Sequence, residues 1–158
     1  MNGAHLHLMV IHFPIAGTLM AVPLLVAAWI MKNETVKLVG LALVVAMGLA
    51  VWAADETGGM AFRVVKNMPD ITRESIHIHA QAADWAVWSL GLNALLAAYG
   101  LFSAWRKKKL PHWVFVTVTI LAVHGSTVVA RTGYLGGQIH HPETRSGFTA
   151  PTEGTPQH

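Results

Sequence analysis

Four long stretches without a charged side chain limit what this chain can fold into. They cover residues 13–31, 38–54, 85–105 and 110–130. Each approaches the roughly 20 residues that a helix needs to cross a hydrocarbon core about 30 Å thick. A soluble helical bundle would instead place polar residues every three or four positions on its outer faces. The pattern therefore predicts an all-α membrane protein built as a bundle of four transmembrane helices.

Composition and length agree with one membrane domain. Of the 158 residues, 53% are hydrophobic and only 12% are charged, against about 25% charged in a typical soluble domain. We expect a transmembrane domain over residues 1–141 and a flexible tail over residues 142–158, which is rich in Pro, Thr and Gly. The first span has no basic leader and no small-residue cleavage site after it, so we expect it to remain in the mature protein. The expected spans cover about residues 9–31, 36–55, 82–105 and 110–132.

The positions of the basic residues indicate the orientation in the membrane. Lys32 and Lys37 follow the first span, and residues 106–109, with the sequence RKKK, follow the third. Short basic loops lie in the cytoplasm, so both termini and the segment between spans two and three are expected in the periplasm of a bacterial inner membrane. We expect that segment to contain an interfacial helix. A basic run beside a span marks topology, and no nucleic-acid partner is predicted.

Histidines are concentrated at the predicted outer end. Eight of the ten lie at or beyond the outer ends of the spans, whereas His112 lies at the inner interface and His124 within the fourth span. The motif HLH before span one and HIH before span three are 72 residues apart. The segments DETGG after span two and RTGYLGG after span four are 75 residues apart. These offsets are consistent with two repeated helical hairpins of the same orientation and place the predicted functional face outside.

A polar stripe in the fourth span is typical of a buried cofactor site. Polar side chains in a span usually face the bundle interior, so we expect this stripe to do so. His124 is then a candidate axial ligand of haem b, and Arg131 a candidate partner of the haem propionates. The alternative is a structural histidine with an arginine anchor at the interface. The stripe consists of Thr117, Leu121, His124, Thr127, Arg131, Tyr134 and Gln138.

A second axial ligand would come from a facing helix. His12 is the first candidate, and Pro14 beside it suits the first turn of a helix, where its missing N–H would have no partner. Straight-helix arithmetic places His12 roughly 10 Å nearer the surface than His124. Met20 and Met47 lie closer to the depth of His124 and would allow histidine–methionine ligation. The sequence leaves these alternatives open.

Other arrangements of the histidines also remain open. His12 and His79 could pair at the mouth of the bundle. Imidazole suits copper, iron and zinc, but side chains at i and i+2 point apart in a helix, so HIH would chelate only in an extended segment. The absence of cysteine excludes thiolate ligands and the attachment of c-type haem. The alternative metal ligands are His77, His79, His140 and His141. The wider redox and proton-handling set consists of His7, His79 and His140.

The segment HLMVIHFPIAG, residues 7–17, resembles the HPxxVHFPIA opening of a bacterial membrane family called domain of unknown function 2231. The pair Thr57-Gly58, His79, and the segment GYLGGQIHH after span four also resemble that family's pattern. Leu8 stands where the family often has proline, so we expect a different entry into the first helix. Family members are sometimes joined to c-type cytochrome or Rieske domains. The resemblance therefore implies a role beside electron transfer.

Together these features predict a membrane electron-transfer subunit that binds haem b at its outer end. It would pass electrons between the quinone pool and a periplasmic c-type cytochrome, as a subunit of a membrane oxidoreductase complex. The alternative is a cofactor-free accessory subunit, or a membrane protein that binds copper, iron or zinc at its periplasmic face. The lipid bilayer is the expected partner in every case.

Overall fold

Four long helices form most of the chain. The computed structural model describes residues 2–68, 71–107, 109–144 and 147–149. Within these ranges the only regular elements are helical, so the predicted all-α class is confirmed. Most of the expected tail lies outside the described residues. Helix α1 covers Gly3–Met31, α2 Glu34–Val65, α3 Arg73–Lys107 and α4 His112–His140, and a 3-10 turn covers Pro142–Thr144.

Asparagine caps fix where the first two helices begin. The Asn2 side chain accepts a hydrogen bond from the His5 backbone N–H at 2.9 Å, and the Asn33 side chain accepts one from Val36 at 3.1 Å. These oxygens satisfy N–H groups that the first turn of a helix leaves without a helical partner. Helix α1 therefore begins before its histidines. Pro14 lies inside the helix, so its predicted place in the first turn is wrong.

The helices pack in sequence order and close into a ring. Helix α1 packs on α2, α2 on α3 and α3 on α4, and α4 returns to α1. The short connections after α1 and α3 lie at one end, which we call the basic end. We call the opposite end, where α1 and α3 begin and α2 and α4 end, the histidine end. A core cluster that includes Leu25, Leu41 and Phe115 fills the bundle toward the basic end. A smaller cluster around Leu90 and Val129 lies nearer the histidine end.

All four helices are long and apolar enough to cross a membrane, and the chain is a multi-pass membrane protein. At the basic end they agree closely with the expected spans, but at the histidine end they continue further. Helix α1 begins at residue 3 rather than 9, α2 ends at 65 rather than 55, α3 begins at 73 rather than 82, and α4 ends at 140 rather than 132. Each extension adds roughly 9–15 Å of helix. The segment between spans two and three is therefore helical over much of its described length, as expected, but these turns continue α2 and α3.

Exposed tryptophans indicate where the hydrocarbon layer lies. In α3, the side chains of Trp85 and Trp105 are 69% and 75% exposed. Twenty residues separate them, which is about 30 Å of helix, close to the thickness of a hydrocarbon core. Trp52 and Trp113 are also exposed, as expected for aromatic belts. His79 lies six residues beyond Trp85, so the extended turns lie beyond this layer.

Candidate functional site

The extended helix ends enclose a cleft of about 1140 Å³ at the histidine end. All four helices contribute to its wall. Its volume slightly exceeds the roughly 300–1,000 Å³ typical of small-molecule sites. The base of the cleft reaches Val51, Ala86 and Val129, which belong to the smaller core cluster. The histidines in its wall are His7, His12, His77, His79, His140 and His141.

The His7 imidazole is held by a hydroxyl group of α2. Its Nδ1 lies 3.1 Å from Thr57 Oγ1. That oxygen is also 3.0 Å from the carbonyl oxygen of Ala53 and 2.9 Å from that of Ala54. A hydroxyl has one hydrogen, and here it is donated to a carbonyl, so the oxygen is left to accept the N–H of His7. The two nearby carbonyls favour the tautomer of His7 with its proton on Nδ1 and its lone pair on Nε2.

The His79 imidazole is held by a backbone carbonyl of α4. Its Nδ1 lies 3.1 Å from the carbonyl oxygen of Thr132. A carbonyl can only accept, so Nδ1 donates and the lone pair of His79 is on Nε2. The Thr132 hydroxyl lies 3.0 Å from the carbonyl oxygen of Ala82 in α3 and 2.9 Å from that of Val128. The same threonine thus joins α4 to α3 beside the histidine.

Each of these imidazoles also lies against a glycine of the neighbouring helix. A Cβ at Gly58 would lie 3.4 Å from Cε1 of the His7 ring, and a Cβ at Gly136 would lie 3.0 Å from Cε1 of the His79 ring. Both histidines are half-buried. The two hairpins therefore place a histidine of the first helix against a threonine and a glycine of the second. The two threonines correspond through the 75-residue offset of the repeat, whereas the equivalent of Gly58 at that offset is Gly133 and the glycine beside His79 is Gly136.

The HIH and HLH motifs lie inside α3 and α1, where residues i and i+2 point apart. Accordingly, His5 and His77 are exposed, whereas His7 and His79 are half-buried. The extended geometry that chelation by HIH requires does not occur. In the part of the chain that the structure describes, no group of three or more His, Asp or Glu side chains is placed to hold a metal ion.

The remaining histidines of the cleft are exposed. His12 lies in the wall, and its Nδ1 donates to the Leu8 carbonyl one turn earlier in α1. His140 and His141 lie at the end of α4, where His141 Nδ1 is 2.8 Å from Glu143 Oε1. The pKa of the Glu143 carboxyl is lowered by the hydrogen bond from its own backbone N–H and by the one from His141. His140 and His141 lie at the outer edge of the cleft, where α4 ends, whereas His12 lies deeper along α1 than His7.

The predicted orientation of the polar stripe in α4 is wrong. His124, Arg131 and the residues between them on that face are exposed on the outside of the bundle, and neither His124 nor Arg131 lines the cleft. Small and apolar side chains of α4 face inward instead. A Cβ at Gly125 would lie 3.0 Å from Cδ1 of Leu90, so glycine permits the close approach of α3 that helix pairs in membranes favour. The structure therefore does not bring His12 and His124 together.

Two basic residues in the cleft wall had not been predicted as site residues. Lys66 follows the end of α2 and Arg73 begins α3, and both line the cleft. Asp55 and Asp84 line it as well. The two carboxylates had been expected as possible oxygen ligands or as partners that orient imidazoles, whereas the sequence gives no specific signal for Lys66 and Arg73, which belong to a segment of mixed charge. The four residues line one cleft because α2 and α3 both extend to the histidine end of the bundle.

Comparisons with protein-family models, with curated proteins and with solved structures find no match to this chain. The resemblance of residues 7–17 to domain of unknown function 2231 therefore stays a prediction.

Proposed function

We propose that the cleft binds haem b and that the chain is an electron-transfer subunit of a bacterial inner membrane, with the cleft and both termini in the periplasm. The supporting observation is the pair His7 and His79, one from each hairpin, in the wall of one cleft. In both rings Nδ1 lies 3.1 Å from an oxygen atom of the neighbouring helix, and Nε2 would be the nitrogen that holds a metal. A metal-ligating histidine usually donates its other N–H in this way, which fixes its tautomer and ring orientation.

The other residues of the cleft fit an iron porphyrin. Gly59 and Gly137 line the wall, and a Cβ at either position would meet nothing within 4 Å, so a flat ring has room beside them. Lys66 and Arg73 can pair with the two carboxylates of haem. When bound, the haem iron supplies one-electron redox chemistry.

This proposal changes the residue roles that the sequence predicted. His7 and His79 replace His12 and His124 as the residues that would hold the haem iron, because both are half-buried, both are hydrogen-bonded through Nδ1 and both line one cleft. Lys66 and Arg73 in the wall replace Arg131 as the partners of the haem carboxylates, because Arg131 is exposed on the outside of the bundle. His140 keeps its proposed place in the wider redox and proton-handling set, and His12 lines the cleft without the role of iron ligand.

The position of the cleft supports electron exchange with two kinds of partner. Its base reaches apolar residues of the bundle, and the exposed imidazoles of His140 and His141 lie at its outer edge, where α4 ends. We propose that a membrane quinone exchanges electrons near the base and that a periplasmic c-type cytochrome does so at the edge. The chain would then be one subunit of a larger oxidoreductase complex.

Haem binding is tested by a dithionite-reduced minus oxidised spectrum of detergent-purified protein from haem-sufficient cells. We expect sharp b-type bands in the unmodified protein and their loss in His7→Ala and in His79→Ala. The matched controls are His5→Ala, which removes the exposed histidine two residues from His7, and His124→Ala. A flat spectrum of the unmodified protein contradicts haem binding. Bands that disappear only in His12→Ala and His124→Ala would support the original ligand pair.

Metal analysis and redox kinetics on the same preparations test the remaining parts. Copper, iron or zinc in protein without b-type bands would favour the metal-binding alternative, and neither metal nor bands would favour a cofactor-free accessory subunit. For haem-loaded protein, we expect reduction by a quinol and reoxidation by a soluble c-type cytochrome in rapid-mixing experiments. A bound haem that reacts with neither would contradict electron transfer while leaving haem binding intact.

A further inference from the structure

A second, much smaller cavity lies in the middle of the bundle. Its volume is about 10 Å³, and all four helices contribute to its wall, with Thr18 from α1, Met47 from α2, Asn93 from α3 and Gly125 from α4. It shares no lining residue with the histidine cleft. Asn93 is eight residues from Trp85 toward the basic end, which is about 12 Å of helix. The cavity therefore lies within the hydrocarbon layer that the tryptophans indicate.

Two oxygen atoms at this cavity are buried without a hydrogen-bond partner among the described residues. They are Thr18 Oγ1 and Asn93 Oδ1, and the two residues are only 5% and 4% exposed. The Asn93 amide nitrogen donates to the Val118 carbonyl at 3.4 Å, which fixes Oδ1 as the atom left over. A buried polar atom without a partner costs about 1–3 kcal/mol, and lipid around the bundle offers it no replacement.

We propose that this cavity binds one water molecule, which hydrogen-bonds to Asn93 Oδ1 and Thr18 Oγ1. Oδ1 can only accept, so the ligand must be a hydrogen-bond donor, whereas the threonine hydroxyl can donate or accept. A volume of about 10 Å³ is close to the minimum for one water molecule. The lining residues carry no charge and provide two side-chain oxygens, which is too few for the oxygen shell that a hard cation requires.

The proposal is tested by magnetisation transfer from water in NMR spectra of the protein in lipid nanodiscs. The chain has four asparagines, so asparagine-selective ¹⁵N labelling gives four side-chain amide groups, and Asn93→Leu identifies the signal of Asn93. A water molecule bonded to Oδ1 lies next to that amide. We expect a water cross-peak at the Asn93 amide of the unmodified protein. No cross-peak there would overturn the proposal.

Two variants show whether the water is in the cavity. Ala122→Val adds methyl groups to the cavity wall and should abolish the cross-peak while the Asn93 amide signal remains. Ala130→Val makes the same change at an exposed position of the same helix and should leave the cross-peak unchanged. Thr18→Val keeps the side-chain shape but removes one partner of the water, so it should weaken or abolish the cross-peak even if Ala122→Val does not fold. An undiminished cross-peak in the folded cavity variants would contradict the site.

Discussion

The close contact between Gly136 and the His79 ring makes Gly136→Ala a sensitive perturbation of the cleft. A Cβ at position 136 would lie 3.0 Å from Cε1 and 3.3 Å from Nδ1 of His79. Non-bonded carbon atoms prefer separations of about 3.5–4.0 Å, so the ring must move by roughly 0.5 Å. Its Nδ1 is already 3.1 Å from the Thr132 carbonyl oxygen. A displacement of that size away from the carbonyl would lengthen this distance to about 3.6 Å, which is too long for a hydrogen bond.

The expected magnitude follows from two opposing contributions. Replacing glycine by alanine within a helix stabilises it by about 0.5–1 kcal/mol, whereas a lost hydrogen bond costs about 0.5–1.5 kcal/mol. Gly137→Ala is the matched control, because a Cβ there meets nothing within 4 Å. We expect Gly137→Ala to show the full gain in the free energy of unfolding and Gly136→Ala to show little gain or a loss.

Two measurements on the detergent-solubilised protein decide this prediction. Equilibrium unfolding gives the difference in the free energy of unfolding between the variants. The ¹⁵N resonances of the His79 ring report its hydrogen bond directly. The ring resonances should move in Gly136→Ala and stay in place in Gly137→Ala. Gly58→Ala should affect His7 less, because the corresponding distance there is 3.4 Å. Equal stability of the two α4 variants, with unchanged His79 resonances, would refute the reasoning.

Two further predictions concern the acceptor oxygens and a helix cap. Thr57→Val removes the side-chain oxygen beside Nδ1 of His7, so ¹⁵N spectra should show a changed tautomer population of that ring. Thr132→Val leaves the backbone carbonyl beside His79 in place, so the tautomer of His79 should persist. Equal responses of the two rings would contradict these roles. Asn33→Ala removes the cap of α2 and should lower the free energy of unfolding by about 1 kcal/mol, and an unchanged unfolding midpoint would contradict the cap.

The sequence predicted the four helices because hydropathy directly reports the turns that lie in lipid. It did not predict their extensions, because segments such as DETGG and HLH are polar and give no hydropathy signal. Helical structure there depends on contacts between helices and on caps such as Asn2. The cleft is built from these extensions, so its basic residues and its depth could not be located from the spans alone.

The sequence could not predict which face of α4 is turned inward, for a different reason. The helix has a polar face that includes His124 and an opposite face with Ala122 and Gly125. Helical spacing identifies both faces but does not say which one packs against the other helices. Which face turns inward depends on the shapes of the other three helices. In this bundle close packing against Leu90 places the small residues inside. The small residues were the available signal, and the rule that polar residues face inward outweighed it in the prediction.

The pairing of His7 with Thr57 and of His79 with Thr132 has a consequence for how such a site can arise. A single hairpin that associates with its own copy would present two identical imidazoles across a two-fold axis. Joining two hairpins in one chain lets each half change independently. Here one imidazole is bonded to a rotatable hydroxyl and the other to a fixed carbonyl. The two imidazoles in the wall of the cleft are therefore held differently, one by a hydroxyl that can rotate and the other by a backbone carbonyl that cannot.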